Sequence, residues 1–84
     1  MASVVLTPAA AAALERLNNP IHGRVLRLLV RLEAWPRVSG VKSLSGDLAG
    51  SYRVRTGDYR VQFQVFEGAV LVEKIGHRDG FYED

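Results

Sequence analysis

Tyr52-Arg53-Val54-Arg55-Thr56-Gly57-Asp58-Tyr59-Arg60-Val61-Gln62-Phe63-Gln64-Val65-Phe66 alternates apolar and polar residues on either side of Gly57-Asp58. Period-two alternation is the signature of a strand with one buried face. A glycine in a two-residue connection suits a tight hairpin. With that turn, Thr56 pairs with Tyr59, Arg55 with Arg60, Val54 with Val61 and Tyr52 with Phe63. Tyr52, Val54, Val61, Phe63 and Val65 then share a face for helices to cover, and Arg53, Arg55, Arg60, Gln62 and Gln64 share the other.

Toward the C-terminus, Glu67-Gly68 marks a second turn and Ala69 to His77 a third strand, which completes an antiparallel meander. Strict alternation pairs Val65 with Val70, Phe63 with Val72 and Arg60 with Ile75. It sets Glu73 opposite Gln62 and near Arg53, where a surface ion pair of little energetic weight is expected. His77 is then expected on the arginine face. Arg78 falls on the other face unless the strand ends, twists or bulges at Gly76.

Toward the N-terminus, residues 36–50 are rich in glycine and serine and read as a connecting loop. Before it, Ile21, Val25, Leu28, Leu29 and Leu32 recur at helical spacing, with Arg24, Arg27 and Arg31 on another face. Asn19-Pro20 begins that helix and Pro36 lies beyond its end. Trp35 between them reads as packing at the helix end. An alanine-rich helix to Leu17 precedes it, opened by Thr7 as cap and Pro8 at the first position. Ser3 to Leu6 reads as a short strand. The prediction is one α+β domain over residues 1–84: an N-terminal strand and a two-helix hairpin packed on an antiparallel sheet, completed by the three-stranded C-terminal meander.

Composition narrows the chemistry. No cysteine is present, so neither disulfides nor a thiolate zinc site is available, and two histidines cannot complete a zinc shell. No metal or cofactor is expected. No apolar run approaches the roughly 20 residues of a membrane span, which makes a cytoplasmic protein the expectation. Formal charge is only +2, yet residues 20–60 hold eight basic and three acidic side chains, and nine of the eleven cations in the chain are arginine. Arginine suits planar, bidentate contact with phosphate or carboxylate.

Arg55 directly opposite Arg60 opposes sheet stability. Two readings follow: an anion held between them, or guanidinium groups splayed into water. Tyr52-Arg53-Val54-Arg55, Gly57-Asp58-Tyr59-Arg60-Val61 and the closing Ile75-Gly76-His77-Arg78 with Tyr82 resemble the RelE/ParE toxin superfamily, and in particular its RelE-like members. So does the opening Val4-Val5-Leu6-Thr7-Pro8, and the order of elements agrees over nearly the whole chain.

The resemblance implies the toxin of a type II toxin–antitoxin system, a ribosome-dependent, metal-independent endoribonuclease that cuts mRNA in the ribosomal A site. Implied partners are a cognate antitoxin, the ribosome and mRNA, with no membrane. By position, Arg60 and Arg78 match phosphate-stabilising arginines, Tyr82 the C-terminal tyrosine, and Arg53 and Arg55 the cations of the first meander strand. Lys42 is a further RNA contact. Arginine stays protonated and makes a poor general base, so His77 is the substitute candidate for proton transfer, or else a side chain that hydrogen-bonds the backbone. Two alternatives remain: a ParE-like protein that inhibits DNA gyrase without catalysis, and a degenerate toxin that only binds its antitoxin.

Overall fold

The computed structural model describes residues 1–81. Strand β1 (Ser3–Leu6) leads into α1 (Pro8–Glu15), whose N-terminus is closed as expected: the Thr7 side chain accepts from the amide of Ala10. Helix α2 (Ile21–Arg31) continues into a 3₁₀ turn at Leu32–Ala34. The loop that follows contains one short strand, β2 (Lys42–Ser43), and the meander is β3 (Ser51–Thr56), β4 (Tyr59–Phe66) and β5 (Ala69–His77). No helix among the described residues is long and apolar enough to cross a membrane.

The strands form one sheet in the order β1-β5-β4-β3-β2. The meander is antiparallel, but β1 lies parallel to β5, with Val4 beside Val70 and Leu6 beside Val72. The sheet is therefore mixed where a purely antiparallel one was expected. β1 has no hairpin to orient it, since two helices separate it from the meander, and it takes up the open edge of β5.

Both helices pack on one face of this sheet. Ala10 of α1 and Val25, Leu28 and Leu29 of α2 form a single buried cluster with Val54, Val61, Phe63, Val70, Val72 and Ile75. Burying a side chain such as Phe63 stabilises the fold by about 1.5–3 kcal/mol. Trp35 closes the cluster as the helix-end packing residue it was read to be. Its ring centroid lies 5.0 Å from that of Tyr52 and, edge-on, 5.4 Å from that of Phe63.

The first hairpin has the register read from sequence, with Arg55 across from Arg60. Gly57 has φ 59°, a conformation that favours glycine at the first position of such a turn. The second hairpin follows the expected register only as far as Phe63 opposite Val72. Gln62 then pairs with Lys74, Val61 with Ile75 and Arg60 with Gly76, so Glu73 is an extra residue in a β-bulge. The cause is visible in the side chains. Without the bulge, Lys74 would oppose Val61 in the core and Ile75 would stand outside, and burying an unpaired ammonium costs far more than one disrupted ladder step.

Candidate functional site

The face of the sheet opposite the helices gathers the cations. Arg53 pairs with Lys42 on one side and Gln62 on the other, and Arg55 pairs with Arg60. Paired residues project to the same side of a sheet, so Lys42, Arg53, Arg55 and Arg60 share this face. Lys42, expected in a loop, is in fact aligned by β2. A depression of about 290 Å³ is lined by Gly40, Lys42, Arg53, Val54 and Arg55.

The bulge decides which residues of the β5 end join them. Because it shifts the pairing by one, His77 lies opposite Tyr59 rather than on the arginine face. The two rings meet edge-on with centroids 5.2 Å apart. His77 Nδ1 accepts the amide of Asp79 at 3.1 Å and so caps the 3₁₀ turn Arg78–Gly80. The expectation that His77 shares the arginine face is thereby corrected. Arg78 moves the other way: its amide donates to the carbonyl of Asp58 at 2.8 Å, which brings it to the Gly57-Asp58 turn. Arg60 reaches the same turn, with Nη1 donating to the carbonyl of Gly57 at 3.2 Å. Arg78 Nε stands 3.8 Å from Asp58 Oδ1 and 3.6 Å from Asp79 Oδ1. Exposed pairs of this kind contribute only about 0.2–1 kcal/mol, so an incoming phosphate can displace them.

Glu73 is not the ion-pair residue that regular alternation implied. Its carboxylate accepts from Ser51 Oγ at 3.1 Å, Gln62 Nε2 at 3.3 Å and Gln64 Nε2 at 2.8 Å, which ties β5 to β4 and β3. Thr7 Oγ1 donates to the Glu73 carbonyl at 3.3 Å. This lacing holds the bulge and with it the end of β5. The signal was present in the sequence: two polar residues, Glu73 and Lys74, separate Val72 from Ile75, which breaks a period of two.

Beyond the bulge, Gly76 faces Phe81. A Cβ at Gly76 would stand 3.4 Å from the Phe81 ring, so the ring packs directly against the strand at this residue. Phe81 is buried and packs the end of the chain onto the sheet. Lys74 Nζ donates to the Phe81 carbonyl and lies over its ring. Tyr82, which the family resemblance singled out, lies outside the described residues.

What this face can do chemically is bind a polyanion at several points. Its guanidinium groups offer planar forks of donors that match phosphate oxygens. The comparisons with known proteins agree with this architecture. The chain matches the family described as the ParE toxin of type II toxin–antitoxin systems, parDE, over residues 4–80. A chain of the toxin–antitoxin complex RelBE2 from Mycobacterium tuberculosis superposes with a TM-score of 0.80 at 24% identity, covering 92% of this chain and 98% of that one. A chain of the archaeal RelE–RelB complex from Pyrococcus horikoshii gives 0.74 at 28% identity, covering 92% and 94%. The isolated RelE toxin of E. coli gives 0.76 at 18% identity, covering 92% and 84%. No curated protein matches the sequence significantly. With a family match across nearly its whole length and a RelE-like fold, the chain belongs to the ParE toxin family of type II toxin–antitoxin systems, within the RelE/ParE superfamily.

Proposed function

We propose that this toxin is a ribosome-dependent endoribonuclease that cuts mRNA in the A site and is silenced by a cognate antitoxin. The observation that carries the reading is the Arg55–Arg60 cross-strand pair, flanked on one face by Lys42 and Arg53 and at its turn by Arg78. Such an arrangement weakens the sheet unless an anion occupies it.

In the proposed reaction the ribose 2′-oxygen attacks the adjacent phosphorus and the bond to the 5′-oxygen breaks, leaving a 2′,3′-cyclic phosphate and a free 5′-hydroxyl. One proton leaves the 2′-oxygen and one reaches the 5′-oxygen. Arg60 and Arg78, both reaching the Gly57-Asp58 turn, stabilise the negative phosphorane. No metal or cofactor has a part in this scheme. Lys42, Arg53 and Arg55 hold flanking phosphates. Tyr82, which follows the anchored Phe81 in the chain, is assigned to base stacking or proton transfer. His77 is given no proton to move, because it caps a turn on the other side of the strand.

The antitoxin reading rests on the family and on relatives solved as RelB–RelE complexes. Acidic residues of such a partner gain most by covering the arginine face. The proposed target places the protein in the cytoplasm.

A second reading, non-catalytic inhibition of DNA gyrase, is favoured by the ParE description of the matched family. One experiment separates the two: mapping mRNA ends in cells after a brief pulse of toxin without antitoxin, beside Arg60→Ala. Codon-phased cuts that vanish in the variant are expected. Arrest with intact messages and damaged DNA would assign the toxin to gyrase, and no arrest would leave an antitoxin-binding relic.

A further inference from the structure

Helix α2 carries a second cationic surface that the site above does not use. Arg24, Arg27 and Arg31 are exposed and recur at intervals of three and four residues, so they form one stripe. The helix contains no acidic residue, and among the described residues none of the three is in an ion pair. Arg31 Nη2 donates to the carbonyl and Oγ of Ser39 at 3.1 and 3.3 Å. Arg27 Nη1 lies back over Gly23, 3.6 Å from where a Cβ would stand. Like charges at these spacings oppose helix formation, and Arg24 in the first turn meets the positive end of the helix dipole. Among the described residues, only Arg31 of the three has a side-chain hydrogen bond, through Ser39.

Two adjoining depressions, of about 270 and 380 Å³, share Arg24 and Thr56. The first lies along the arginine stripe, and the second continues past Gly57-Asp58 to Tyr59 and His77. His77 Nδ1 is taken by the Asp79 amide, which leaves Nε2 for a ligand. The stripe spans about 10 Å of helix axis, a length that suits several phosphates on one strand. Exposed Leu26 and Val30 lie about 100° round the helix from it, so a peptide that buries apolar side chains belongs on that other side.

We propose that this groove is a second RNA-binding surface, which takes the phosphate backbone of a folded RNA while the opposite face of the β3–β4 hairpin takes the strand to be cut. The proposal rests on the ribosome-dependent reading, in which both kinds of RNA are at hand. Its test uses the full chain carrying Arg60→Ala, with and without Arg24→Gln, Arg27→Gln and Arg31→Gln. Fluorescence anisotropy is read against a labelled RNA hairpin and a labelled single strand over a range of salt. The triple substitution is expected to weaken hairpin binding about tenfold or more at low salt and to flatten the salt slope by about two to three. Single-strand binding stays unchanged, and the urea midpoint is unchanged or slightly higher. Unaltered hairpin affinity and slope would overturn the proposal, as would loss of antitoxin binding alone, which would give the stripe to a protein. Failure of the nuclease reading shows separately, as intact mRNA ends in the pulse experiment.

Discussion

The two faces of the sheet are built on opposite terms. On the helix side, Val61, Phe63, Val70 and Val72 are completely shielded within a cluster of apolar and aromatic side chains. On the other side, Arg55 stands across from Arg60 and the neighbouring strand adds Lys42 and Arg53. One face stabilises the fold by burial, while on the other the Arg55–Arg60 pair works against the sheet. A protein of this size has only about 5–15 kcal/mol of net stability, so a repulsive face is tolerable only above a well-filled one.

The contrast is sharpest in what substitution does to each face. Phe63→Ala removes a fully buried ring in contact with Trp35 and Tyr52. A loss of about 3–5 kcal/mol is expected in urea denaturation, enough to leave much of the protein unfolded. A loss below about 1 kcal/mol would mean that the helix-side face is not the main source of stability.

Glu73→Ala tests the seam between the faces. It strands the donors of the buried Ser51 and Gln62, and that of Gln64. A loss of about 1–3 kcal/mol is expected. Hydrogen exchange at the Arg78 amide, which bonds the Asp58 carbonyl, should accelerate more than exchange at Val70 in the core. Equal acceleration at both would assign Glu73 to global stability alone.

The smallest change is expected from Arg55→Ala. Relief of repulsion from Arg60 should leave stability unchanged or raise it by a few tenths of a kcal/mol, while growth arrest weakens. A clear fall in the urea midpoint would show that the arginine face stabilises the fold and would break the comparison.

How far the sequence could be read also differs between the faces. The helix-side face was legible because alternation in β3 and β4 is a local property, and the Gly57-Asp58 turn carries it across the hairpin without further information. The arginine face was legible as far as Gln62. Beyond it, regular alternation put His77 on that face, where the structure sets it opposite Tyr59 instead, and put Arg78 off it, where the structure ends the strand and brings Arg78 to the Gly57-Asp58 turn. The broken period at Glu73-Lys74 marks an irregularity in β5, but the strand by itself does not decide where its residues pair. The pairing follows from an energy comparison across three strands, in which Ile75 rather than Lys74 fills the place opposite Val61 and the displaced Glu73 finds donors on β3 and β4.

By itself, then, the sequence determined the order of the longer elements, the Thr7 cap, the first hairpin register and the presence of an arginine-rich strand pair, all set by interactions a few residues apart. The tertiary structure alone decided that β1 runs parallel along β5, that Lys42 aligns beside Arg53, that Phe81 closes on Gly76 and that Arg78 meets the turn bearing Arg60. These depend on which edge is open and which side chain tolerates burial, quantities that exist only once the strands and helices are packed together.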